Sequence, residues 1–110
     1  MIKSEFVISD NKILAFSVEG HSGLAPQGED ILCASVSAMT QLVINTLSEV
    51  VEANLDLSIE EEKAKIACRI LSVSKERERE AQCILKGFLI QMKDLAEMYS
   101  ANLSVRENNE

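Results

Sequence analysis

The chemistry of this chain is concentrated in Gly20 to Ser37, GHSGLAPQGEDILCASVS, which holds its only histidine, its only proline and three of its four glycines. Cys33 lies there, just after an apolar helical period begins at Ile31. Asp30 is the residue best suited to cap that helix, because a short carboxylate accepts from first-turn N–H groups that have no intrahelical partner. Cys33 then falls in the first turn, where the dipole's positive end and the unpaired N–H groups favour negative charge. Cysteines so placed are the nucleophilic ones, and the same N–H groups suit the oxyanion that forms when sulfur attacks a carbonyl. A thiol nucleophile also needs a proton acceptor. His21 is the only imidazole, twelve positions upstream across a loop. Cys and His so arranged suit hydrolysis of an amide.

The supporting residues leave choices open. Asp30 either caps the helix or turns to orient a protonated His21, as the third group of a triad does. Glu29 and Asp30 are adjacent negative charges, and like charge near Cys33 opposes a thiolate. Ser37, one helical turn beyond Cys33, is either a hydrogen-bonding site residue or a small packing residue. Gly20, Gly23 and Gly28 punctuate a loop over 20–28 that reads as mobile and as leaving room for a peptide. Cys68, on an apolar strand face, and Cys83, near a helix's buried edge, read as packing residues. His21, Cys33, Cys68 and Cys83 include zinc-ligand types but lack chelating spacing, so neither metal nor other cofactor is expected.

Other features of the chain narrow the function further. At 110 residues it predicts one domain, 1–110, with 46% hydrophobic and 26% charged residues. Eleven basic against 18 acidic residues give a net charge of −7, which repels phosphate backbones and disfavours nucleic acid as a partner. No secretory signal is visible in MIKSEFVISD. Ile31 to Ser48 carries no charge, but its seven Ser, Thr, Asn and Gln residues make it too polar for a membrane span; it predicts a buried central helix. Three cysteines without a C-x-x-C pair suit a reducing cytoplasm.

The elements that would position Cys33 and His21 follow from periodicity. Ile2, Phe6 and Ile8 alternate, as do Leu14, Phe16 and Val18, around a Ser9-Asp10-Asn11 turn: a hairpin. A helix over about 30–54 follows, wide enough in its apolar surface to need cover on more than one side. Leu55, Leu57 and Ile59, then Ala64, Ile66, Cys68 and Ile70, make a second hairpin about Glu60 to Lys63. Ser74 reads as the cap of a second long helix, buried through Ala81, Ile84, Leu85, Phe88, Met92, Leu95, Ala96 and Tyr99. Leu103 to Arg106 forms a short last strand before a polar ENNE tail. The order ββαββαβ predicts an α+β, two-layer domain with a mostly antiparallel sheet and two long helices.

The opening stretch resembles the signature of the ribosomal-processing cysteine protease family, small bacterial proteins formerly classed as a domain of unknown function. The matches are Gly20, His21, Gly23, Ala25, Gly28, Asp30, Ile31, Cys33, Ala34, Val36 and Ser37. Leu24 stands where an aromatic is common, Leu32 where Val is, and Ser35 where Ala is. The resemblance implies a cysteine endopeptidase with Cys33 as nucleophile, His21 as general base and Asp30 and Ser37 in support. It implies removal of a short N-terminal extension from the twenty-seventh large-subunit ribosomal protein, and a homodimer. The alternatives from the residues alone are a non-enzymatic peptide-binding or ribosome-assembly module, and a thiol redox sensor.

Overall fold

The structure, a computed structural model, describes residues 1–26, 28 and 30–110. Strands β1 (Ile2–Ser9) and β2 (Lys12–Glu19) precede helix α1 (Ile31–Asn45), and β3 (Asn54–Glu60) and β4 (Lys65–Ser72) precede helix α2 (Glu78–Met98) and β5 (Leu103–Asn109). The order ββαββαβ is the one the sequence predicts. The five strands form one sheet in the order β3-β4-β2-β1-β5, antiparallel except for the parallel β1–β5 pair. That pair is parallel because the chain returns to β1 through the α2 crossover rather than a tight turn.

The first hairpin turns at Asp10 and Asn11, both with positive φ, the backbone a two-residue hairpin loop with the strands' twist requires. Beyond the turn, Val7 faces Ala15 but Ile8 faces Ile13, so Leu14 is the extra residue of a bulge. The bulge corrects the predicted face of β2: Ile13, Phe16 and Val18 enter the core, and Leu14 does not. Gln82 of α2 secures this irregular point. Its side-chain oxygen accepts from Ile13 N at 2.8 Å and its Nε2 donates to Ile13 O at 2.9 Å. Phe6, Phe16 and Phe88 meet beside it, Phe88 edge-on to the other two rings.

Helix α1 is shorter and less covered than its composition predicts. The α-helix ends at Asn45, one π-helical turn carries the chain over Thr46–Val50, and Glu52 with φ 59° ends it ahead of 54. Ile31–Val50 is apolar and long enough to cross a bilayer, but Leu32, Val36, Thr40, Val43, Ile44 and Leu47 face the core. The expected buried central helix is therefore covered on one side only, since two layers leave nothing above it. Ile31 and Leu42 stand 65% and 59% exposed.

Three smaller expectations are also corrected. Ser74 makes no side-chain cap; its carbonyl accepts from Arg77 N as a short 3₁₀ turn over Lys75–Arg77 leads into α2. Cys83 is exposed rather than packed. The last strand runs beyond the expected end at Arg106, because β5 pairs with β1 as far as Asn109. Gln82→Ala strips two backbone groups of Ile13 of their partners, and is expected to lower the unfolding free energy by about 1–3 kcal/mol in urea denaturation. An unchanged midpoint would show that Gln82 does not hold the bulge.

Candidate active site

Asp30 has extended backbone and caps α1: its Oδ1 accepts from Cys33 N at 2.9 Å. Of the two roles open from sequence, this is the one the side chain adopts. Its other oxygen, Oδ2, accepts from the Ser22 hydroxyl and not from His21. The carboxylate is 9% exposed, as a cap engaged on both oxygens can be. The Cys33 N–H, and then the Ser22 hydroxyl, hold its carboxyl below the ordinary 3.8 against the opposing push of burial. Glu29, whose charge beside Asp30 entered the sequence argument, lies outside the described residues.

Ser22 joins the loop to the helix. Its backbone N donates to Cys33 Sγ at 3.2 Å, its hydroxyl bonds Asp30, and that hydroxyl accepts from Leu24 N at 3.2 Å. Ser22 is buried, although the loop around it is largely exposed. The loop enters at Gly20, whose N donates to Ala64 O at 3.1 Å. With φ +95°, and with Met1 O only 2.4 Å from where a Cβ would sit, Gly20 admits no side chain. His21 therefore leaves the end of β2 from a fixed base.

A cavity of about 760 Å³ opens beside the start of α1. His21, Asp30, Cys33 and Ser37 all line it, with Gly20, Gly23 and Gly28 of the loop. Val18, Val36, Ile59 and Ile66 give it an apolar wall, and Glu60, Glu61 and Lys65 lie at the β3–β4 turn. The structure thus brings every sequence-predicted site residue to one cavity. Cys33 is half-buried on its wall. Among the described residues, the hydrogen bond to its sulfur comes from Ser22 N–H, not from the imidazole.

One detail changes the expected chemistry. The Cys33 N–H is occupied by Asp30, and the Ala34 N–H by Asp30 O at 3.1 Å. These two first-turn donors are taken, so Ser22 N–H on the loop is the donor that faces the sulfur. Cys68 is buried in the sheet, its thiol pushed up to about 11 by burial and then by Asp56, which suits packing rather than reaction.

A model of the family described as cysteine protease Prp matches residues 1–104. The chain belongs to that family. It is similar to the ribosomal processing cysteine protease Prp of Bacillus subtilis, 27% identical over 100 residues, 90% of this chain and 89% of that one. It is 24% identical over 104 residues to the protein so named in Staphylococcus aureus, covering 94% of this chain and 95% of that one. Its fold matches the S. aureus Prp structure in complex with a covalently linked product peptide at TM-score 0.87 and 22% identity, covering 98% of this chain and all of that one. The chain is a cysteine protease of the Prp family, which sets aside the non-enzymatic module.

Sequence reasoning missed Ser22, and it missed Asn102, whose Nδ2 donates to Ser22 O at 2.9 Å. Nothing local marks either residue, since Ser22 meets Asp30 and Cys33 only across the loop. For Asp30 the pH dependence has a definite sign. A carboxyl held low in the folded state contributes stability above its unfolded value, and that contribution is lost as pH falls through the folded one. Asp30→Asn is therefore expected to melt lower than wild type at neutral pH, with the gap closing in acid below 3.8. A gap that is constant across that range would contradict the capping role.

Proposed function

We propose that this protease removes the short N-terminal extension of the twenty-seventh large-subunit ribosomal protein, with Cys33 as nucleophile and His21 as general base. The observation that carries the reading is the half-buried Cys33 sulfur on the wall of a peptide-sized cavity shared with the only imidazole. The names of the B. subtilis and S. aureus relatives support the ribosomal substrate class.

The steps use this chain's own groups. His21 takes the Cys33 proton as Sγ attacks the scissile carbonyl carbon. The oxyanion of the tetrahedral intermediate forms beside the Ser22 N–H, a donor already in place before reaction. Collapse breaks the C–N bond, and the leaving amine takes the proton from the imidazolium, leaving a thioester on Cys33. Water, deprotonated by His21, attacks that thioester; the acid product departs and the sulfur regains its proton from the imidazolium. Asp30 keeps the helix start and loop together throughout, and Ser37 supports the site from the next turn.

Peptide binding follows from the sheet. β3 is an edge strand, and its last residues, Ile59 and Glu60, line the cavity. An extended peptide adds to that edge by backbone hydrogen bonds while its apolar side chains enter between Val18, Val36 and Ile66. Rotation of the exposed His21 side chain brings the imidazole to the sulfur as the peptide enters, so the catalytic pair completes only with substrate present. The net charge of −7 favours a basic ribosomal protein over nucleic acid. The protein acts in the cytoplasm, away from membranes, as a homodimer; the exposed, uncharged side of α1 suits a second copy.

Mixing the protein with the extended ribosomal protein and weighing the products by mass spectrometry tests this reading. Cys33→Ala is expected to lower cleavage more than about a thousandfold, and His21→Ala about 10²–10⁴-fold, both with native circular dichroism. Full cleavage by folded Cys33→Ala would end the assignment.

A further inference from the structure

We propose that Asn102 is a positioning residue of the protease, a latch that holds Ser22 so that its N–H meets the Cys33 sulfur. The inference rests on the reading of Cys33 as nucleophile and adds a part of the chain eighty positions from the loop.

Three hydrogen bonds make the connection. Asn102 Nδ2 donates to Ser22 O at 2.9 Å, Ser22 N donates to Cys33 Sγ at 3.2 Å, and the Ser22 hydroxyl donates to Asp30. The N–H of Ser22 belongs to the peptide unit before it and the carbonyl to the one after, so the two bonds hold the units on both sides of the residue. Because an amide NH₂ can only donate and a carbonyl can only accept, the Asn102 contact has one orientation. Asn102 is itself set by the backbone: its N donates to Tyr99 O at 2.9 Å and its O accepts from Ile2 N at 2.8 Å. It stands in the turn between α2 and β5, at the end of the sheet where β1 begins. The latch therefore ties the loop to a turn that the start of β1 holds in place through Ile2 N.

A second anchor shows why the latch is needed. Gly20 is pinned to Ala64 and pressed against Met1, which fixes the loop's entrance but not the peptide plane two residues on. Ser22 carries the donor that faces the sulfur, and Asn102 is the side chain that grips its carbonyl. Without that grip the serine keeps its bond to Asp30, yet its backbone is free to rotate and the N–H leaves the sulfur. A hydrogen bond to an ionised sulfur is of the charge-assisted kind, so its loss lowers the reactivity of Cys33 rather than its exposure.

The test measures that reactivity directly, without substrate. Folded Asn102→Asp keeps the size of the side chain but replaces the donor with a carboxylate facing the Ser22 carbonyl. Iodoacetamide labelling at neutral pH, resolved by mass spectrometry, gives the rate at Cys33 relative to the exposed Cys83 of the same molecule. The ratio is expected to fall about tenfold, the loss of one hydrogen bond to a charged group. A purely structural role would leave it unchanged in the folded protein. If Asn102→Asp does not fold, Asn102→Ala carries the same readout and the same expected fall. In either folded variant, a ratio equal to wild type overturns the latch. Cleavage assays run alongside separate the two claims: wild type that labels at Cys33 but cuts nothing refutes the substrate reading and leaves the latch to the ratio.

Discussion

The two oxygens of the Asp30 carboxylate hold the site together. One closes the first turn of α1 through the Cys33 N–H, and the other binds the hydroxyl of Ser22, on the loop that carries His21. A helix start and a glycine-punctuated loop have no reason to stay together by packing, since neither buries much apolar surface against the other. A buried carboxylate engaged on both sides supplies the restraint, because leaving either donor unpaired in that position costs free energy. The side chain that caps the helix of Cys33 therefore also fixes the neighbours of Cys33.

The rest of the fold presents this junction to a peptide. The sheet puts β2, which delivers His21, next to β4, whose start lines the cavity with β3 at its edge. Helix α1 buries Leu32 and Val36, and the cavity that Cys33 lines is bounded by the residues after β2 and by the β3–β4 turn. The Phe6, Phe16 and Phe88 cluster and the Gln82 clamp steady the strands below. The cavity then joins the two parts: the helix brings the Cys33 sulfur, and the loop brings the His21 imidazole and the N–H that faces the sulfur.

Much of this was legible in the sequence because it is local. Alternation in β1 and β2, the Asp10-Asn11 turn, the 3.6-residue period of α2 and the Asp-x-x-Cys spacing each lie within a few residues, where backbone geometry dictates pattern. Leu14 misled because a bulge breaks the alternation there: Phe16 and Val18 keep the expected face while Ile13 takes the core position expected of Leu14, and nothing in the pattern announces it. The cover over α1 was overstated for a different reason. An uncharged helix is compatible with burial on every side, but composition does not count the layers available to cover it. Ser22 and Asn102 escaped notice because their value lies in contacts across eleven and eighty positions, and sequence periodicity carries no information at that range.

On the proposed mechanism, Cys33 reacts because of where Asp30 and Ser22 hold it and not because solvent reaches it. Competitive alkylation of the wild-type protein at neutral pH, read separately at its three cysteines, measures that claim most directly. Cys33 is predicted to be modified well before Cys83, although Cys83 is the more exposed, with buried Cys68 last. Modification in order of exposure, Cys83 ahead of Cys33, would contradict it.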